Sequence, residues 1–169
     1  MRYKGSYIGE DKEVSLGKFY NTDMRKLIAL GQTHPFIFDD SMGDPFSYFT
    51  RAAQSQIAIF FALRSRKRVI GYGAFNPVLH RNGVAQFWHR KEMDKEEPKF
   101  GRAVKLMLRY GVAKLNMDKI VTFVVKEDED GNKWAREIGF TLEGTLRKNA
   151  FYHGASYDIN IYGILGEEL

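Results

Sequence analysis

The chain has 169 residues, 44% of them hydrophobic and 28% charged, enough to bury a core and too few to require a second domain. It contains no cysteine, which excludes a disulfide framework and a thiolate metal site, and its four histidines are scattered without ligand spacing, so no metal is expected. The formal net charge of +5 permits attraction to an anionic cofactor or to nucleic acid without requiring either. No apolar run approaches the roughly 18 residues of a membrane span, and the opening Met-Arg-Tyr-Lys-Gly lacks the apolar stretch of a secretory signal. The expectation is one cytoplasmic domain over residues 1–169, with no membrane partner.

Val14 to Tyr20 alternates as a half-buried strand does, with an imperfect phase around Gly17. Asn21 and Thr22 stop it, and either suits the cap of a helix beginning at Asp23, with Met24, Leu27, Ile28 and Leu30 as the buried stripe and Gly31 as the stop. His34 to Pro45 is irregular, and Phe46 to Gln54 is the first place for a second short helix. Ile57 to Leu63 and Val69 to Phe75 read as adjacent antiparallel strands. Between them Arg64-Ser65-Arg66-Lys67-Arg68 is the densest basic cluster, a solvated hairpin turn on the plain reading and a nucleic-acid contact on the sharper one. A third strand, Val84 to His89, follows the turn dipeptide Asn82-Gly83.

Glu96 to Asn116 is the stretch on which the rest is arranged. On a helix from about Gly101, Val104, Met107, Leu108, Val112 and Leu115 share a broad apolar arc, while Arg102, Lys105, Arg109 and Asn116 lie opposite. The loop before it, with Pro98 near its start and Gly101 at its end, would leave backbone N–H groups pointing outward beside Lys99 and Arg102, an arrangement suited to a phosphate; the plain alternative is an ordinary helix start. Lys119 to Val125 then reads as a buried strand reached through a helix, hence parallel to its predecessor. Glu127 to Asp130 head a short helix through Trp134 and Ile138 that Gly139 ends, and Phe140 to Leu146 and Tyr157 to Gly163 form a terminal hairpin around His153-Gly154.

This order of elements, with the closing text Ile138-Gly139-Phe140-Thr141-Leu142-Glu143-Gly144-Thr145-Leu146-Arg147 and then Gly154 and Asp158, resembles the Gcn5-related N-acetyltransferase (GNAT) superfamily, closest to the branch that acetylates protein N-termini. The resemblance spans about Val14 to Leu165. It implies an α/β (α+β) fold: a mixed, mostly antiparallel central sheet flanked by helices, with a splayed parallel strand pair. It further implies that acetyl-CoA lies in the splay between Val84–His89 and Lys119–Val125. Pantetheine would pair with main chain at Phe87, Trp88 and His89, and the pyrophosphate would sit on Lys99, Phe100, Gly101, Arg102 and Ala103. Asp128 aligns with the asparagine that often precedes the family's short helix, and the family's tyrosine acid aligns with Ala135. The cofactor loop departs from the family pattern, since Glu96-Glu97-Pro98-Lys99-Phe100-Gly101 keeps only the last position and Lys99 replaces a glycine whose missing Cβ admits the pyrophosphate.

Acetyl transfer needs a free amine, a polarised carbonyl and an acid for the leaving thiolate. His89 is the candidate proton relay, set against a merely solvated strand end. Tyr152 and Tyr157, beside the terminal turn, are alternative sources of the hydroxyl missing at Ala135, while Trp134 reads as core filling beside Phe140. The first function is therefore direct transfer from acetyl-CoA to a primary amine of a small molecule or protein, by a monomer or homodimer. A second is an acetyltransferase-like binding or assembly module, of a virus for example, that has lost catalysis, and a third is a nucleic-acid-binding domain using Arg64 to Arg68.

Overall fold

The computed structural model describes residues 7–8, 12–31, 36, 39–79, 81–89 and 97–169. Their strands form one eight-stranded sheet in the order β1-β2-β3-β4-β5-β6-β8-β7: β1 (Tyr7–Ile8), β2 (Val14–Lys18), β3 (Ile59–Ser65), β4 (Arg68–Leu79), β5 (Asn82–His89), β6 (Lys119–Val125), β7 (Thr141–Tyr152) and β8 (Ala155–Leu165). Every neighbouring pair is antiparallel except β5–β6. The helices are α1 (Asn21–Gly31), α2 (Pro45–Gln54), α3 (Glu97–Leu115) and α4 (Glu129–Ile138), with 3-10 turns at Asp40–Met42 and Gly166–Glu168. Among the described residues no helix is long and apolar enough to cross a membrane.

Strand β3 shows why its sequence is apolar at nearly every residue. Ile59, Phe61 and Leu63 enter the core under α3, while Phe60 and Ala62 turn to the opposite core with Met24 and Leu27 of α1 and Phe49 of α2. A strand covered on both faces has no reason to alternate. Helix α3 lies close on the sheet because glycines admit it: a Cβ on Gly73 would stand 2.5 Å from Met107 Sδ, and one on Gly111 2.7 Å from the Phe75 ring.

Several boundaries differ from the sequence reading, three of them for a plain local reason. Helix α1 begins at Asn21 rather than Asp23, because Tyr20 takes the cap position: its carbonyl accepts from Asp23 and Met24 N–H at 2.9 and 3.2 Å, and Asp23 Oδ2 reaches back to Tyr20 N–H at 2.9 Å. Asn82-Gly83 is not the turn but the start of β5, paired with Leu79 and Val78, and Arg81 beside it adopts φ 63°. Gly83 serves packing instead, since a Cβ there would lie 2.7 Å from Met117 Cε. Helix α3 starts at Glu97, four residues before Gly101, because Pro98 is well tolerated in a first turn, where its missing N–H costs nothing.

The basic cluster is a hairpin turn: Arg64 and Ser65 end β3, Arg68 opens β4, and Arg66 and Lys67 are the exposed connection, with Arg66 at φ 53°. At the other end of the chain His153 (φ 53°) and Gly154 (φ 76°) join β7 to β8 in the left-handed conformation that two-residue hairpin turns require. Asp158 accepts the N–H of Lys148 at 3.0 Å, where the register of the hairpin shifts.

Candidate active site

Strands β5 and β6 pair only at Asn82↔Lys119, Gly83↔Ile120 and Val84↔Val121. At the next residue the buried Thr122 donates its hydroxyl to Ala85 O at 3.0 Å, a side chain occupying the place of a ladder bond. Beyond it β5 stays with β4, through Gln86↔Ala74, Phe87↔Gly73, Trp88↔Tyr72 and His89↔Gly71, while β6 stays with β8 as far as Val125↔Ile159. The strands separate, and two backbone edges face each other across a V-shaped cleft. Phe87, Trp88 and His89 lie along its β5 edge, and their side chains fall outside the described residues. An edge without ladder partners offers main-chain donors and acceptors to an extended, amide-bearing ligand.

The N-terminus of α3 follows β5 after residues outside the description. With the helix beginning at Glu97, Gly101 sits one turn inside, where its N–H enters the i→i−4 ladder rather than facing outward. Phe100 and Ala103 are 4% and 0% exposed, so their side chains belong to the core. Lys99 is partly exposed in the first turn, and Arg102 extends to Glu13 at 2.7 Å. Of these, Lys99 has a cation at the helix entrance, where the dipole also favours an anion.

The β6 side of the cleft is fixed by a side chain that sequence reasoning passed over. Asn132, 5% exposed on α4, donates through Nδ2 to Asp128 O (2.6 Å), Val125 O (2.8 Å) and Lys126 O (3.3 Å). Its Oδ1 accepts from Asn160 Nδ2 at 2.7 Å and Tyr162 OH at 2.9 Å, and Arg136 Nη1 donates to the same Tyr162 oxygen at 2.9 Å. The end of β6, the start of α4 and the middle of β8 are thereby held together. The one sequence signal was an asparagine inside a helix, a position it occupies poorly unless its amide has partners. Asp128 is the N-cap of α4, accepting Gly131 N–H at 2.9 Å.

Ala135 is 1% exposed and lies in the same core as Phe100, Ile138 and Phe140, with Trp134 stacked on Phe100 at 5.6 Å. The position is closed on all sides. Tyr152 and Tyr157, expected on an exposed hairpin, instead pack with Phe36 against Val125, the last residue of β6. Burial foremost, then the carboxylates of Asp39, Asp128 and Asp40, pushes the Tyr152 pKa up to about 12, so its hydroxyl stays protonated through neutral pH. The irregular segment after α1 clamps this hairpin: Asp39 Oδ2 accepts Phe151 N–H and Asp40 Oδ2 accepts Gly154 N–H, each at 2.8 Å. Burial alone would raise the Asp39 pKa, but hydrogen bonds from the Ser41 hydroxyl, Phe151 N–H and Ser41 N–H hold it below the ordinary carboxylate value.

No protein-family profile matches the chain. A relative from Bacillus subtilis (strain 168), the uncharacterized N-acetyltransferase YoaA, is 28% identical over 146 residues, covering 84% of this chain and 73% of the relative. Among solved structures, the dodecameric spermidine N-acetyltransferase from Vibrio cholerae superposes with a TM-score of 0.74 at 20% identity, covering 92% of this chain and 95% of that one. The microcin C7 self-immunity acetyltransferase MccE, in complex with acetyl-CoA and AMP, gives 0.70 at 21% identity over 90% of this chain and 92% of that one. The fold is the GNAT fold, with its mixed sheet and single parallel pair.

Proposed function

We propose that the protein is an N-acetyltransferase that moves an acetyl group from acetyl-CoA directly to a primary amine. The observation that carries this is the cleft itself: β5 and β6 part immediately after Val84↔Val121, at the end of the sheet where α3 and α4 begin. The YoaA likeness and the acetyl-CoA in the MccE structure point the same way.

When bound, acetyl-CoA supplies a thioester activated for acyl transfer. In the overall reaction the amine nitrogen forms the C–N bond, the C–S bond breaks with its electron pair going to sulfur, the nitrogen gives up a proton and the thiolate gains one. The chain's residues divide this work by position. The main chain of Phe87, Trp88 and His89 takes the pantetheine, and one N–H of that edge polarises the carbonyl. The N-terminal turn of α3, which begins at Glu97, takes the diphosphate, chiefly through Lys99 and the dipole, which replace the glycine-lined loop of the family pattern, while Phe100, Gly101, Arg102 and Ala103 carry the helix on into the core and to Glu13. Asp128 holds the opposite helix entrance in place. His89 relays the proton from the amine, and Tyr152, neutral and buried beside the end of β6, is the candidate hydroxyl donor in place of Ala135.

The acceptor we favour is the α-amine of a protein or peptide, on the Gly139-Phe140 to Asp158 motif, with a polyamine as the comparison because the Vibrio cholerae structure is of a spermidine N-acetyltransferase. We place the reaction in the cytoplasm, in a homodimer whose contact covers Phe123 on β6 and Leu146 on the edge strand β7, 47% and 39% exposed. Amine-dependent release of free coenzyme thiol tests the reading. Thiol release that rises with amine concentration is expected. Coenzyme binding with no release across peptides and polyamines would refute transfer.

A further inference from the structure

Among the described residues a single buried side-chain nitrogen or oxygen lacks a hydrogen-bond partner, and it is Oε1 of Gln86. Its place is as telling as its isolation. Gln86 is the second residue of β5 past the last β5–β6 pair, so it stands where the cleft opens. It lies directly opposite Ala74 on β4, and residues opposite each other on antiparallel strands share a face. Ala74 belongs to the core beneath α1 and α2, so Gln86 faces away from α3. The main chain of its neighbour Ala85 faces β6, where the Thr122 hydroxyl donates to its carbonyl, while the Gln86 side chain looks to the α1–α2 side, the face of the sheet opposite α3 and the diphosphate.

Buried polar groups in folded proteins are almost always partnered, and this fold obeys the rule nearby: Thr122 and Asn132, both buried at the same cleft, have every polar side-chain atom engaged. We infer that Gln86 Oε1 is the acceptor that positions the substrate amine. A reactive amine carries N–H donors beside its lone pair. One N–H given to a fixed amide oxygen leaves the lone pair free to turn toward the carbonyl carbon at the β5 edge. A neutral acceptor also suits the chemistry better than a carboxylate, which would raise the pKa of the ammonium ion and hold the substrate in its unreactive form. The inference rests on the N-acetyltransferase reading.

The test uses the full chain and three variants, Gln86→Leu, Gln86→Met and Gln86→Glu, with spermidine and a short peptide bearing a free N-terminus as probes. Gln86→Leu and Gln86→Met should lower kcat/KM for the amine by about 10- to 100-fold with acetyl-CoA affinity unchanged. They should also hold or raise Tm, because an orphaned buried oxygen is replaced by apolar atoms; a structural glutamine would do the opposite. Gln86→Glu should move the acid limb of the kcat profile to higher pH, since the added charge raises the pKa of the bound ammonium. Unchanged amine kcat/KM in Gln86→Leu, or a fall in Tm with parallel loss of coenzyme affinity, overturns the inference while the transferase reading stands. Absence of wild-type turnover on both amines overturns the two together.

Discussion

Replacing Asn132 by Ala should unlock the β6 side of the cleft, and the structure sets the size of the effect. Most of the carbonyls it serves keep another partner, for Val125 O still accepts Asp128 N–H at 3.0 Å and Asp128 O still accepts the residue-132 N–H at 2.9 Å. The loss falls on Tyr162, which is fully buried and keeps Arg136 as a donor but has nowhere to send its own hydrogen, and on the partly exposed Asn160, which water can serve. One orphaned buried donor and about two lost bonds amount to about 2–4 kcal/mol. For a chain of this length that is about 4–16 °C in Tm, read by circular dichroism. Acetyl-CoA affinity should fall as well, because the start of α4 is no longer fixed to the end of β6. Asn132→Asp should be worse at neutral pH and partly recover in acid: it keeps the acceptor that Asn160 and Tyr162 need, but turns a charged oxygen on three carbonyls, and only its protonated form can donate to them. A Tm shift under about 2 °C for Asn132→Ala would refute the reasoning.

Ala135→Tyr should fail to supply an acid and should cost about 1–3 kcal/mol or more by overpacking a site that is 1% exposed, seen as a lowered Tm without a gain in turnover. Lys99→Glu should weaken acetyl-CoA binding most at low salt, with the difference from wild type shrinking as ionic strength rises; calorimetric titration at two salt concentrations checks it. The clamp of Asp39 on Phe151 should be pH-sensitive in one direction. Because the folded-state pKa is depressed below the ordinary 3.8, its contribution is complete above that value and lost as pH falls through the folded pKa, which amide hydrogen exchange at Phe151 will report as lost protection in acid and not in base.

The fold was legible wherever burial leaves a mark on residue type. β3 is apolar along its length because both faces are covered, whereas β6, equally apolar, leaves Phe123 47% exposed; α4 carries its stop in Gly139 (φ 116°), and the terminal hairpin carries its turn in His153-Gly154. What stayed hidden depends on long-range contacts. Gly83 reads as a turn residue until Met117, far along the chain, is seen to fill the space above it. Tyr152 reads as an exposed hairpin residue until the segment around Phe36 and Asp39 folds onto it. Gly101 reads as a helix entrance because a glycine commonly marks one, whereas Pro98, equally suited to a first turn, sets the start. The parting of β5 and β6 was anticipated from the family resemblance. Of the devices that hold it open, Thr122 on Ala85 O joins residues too far apart in sequence for any local pattern to announce, while Asn132 reaches back only to the end of β6 and left a single mark, an asparagine inside a helix.

The central claim is that the open edge of β5 receives acetyl-CoA, and amide hydrogen exchange of the wild-type protein with and without saturating acetyl-CoA tests it most directly. The account predicts slowed exchange at the amides of residues 86–89 and in the first turn of α3, with the His153-Gly154 turn unchanged. Saturation by acetyl-CoA with exchange at residues 86–89 unaltered, or with protection confined to β7 and β8, would contradict it.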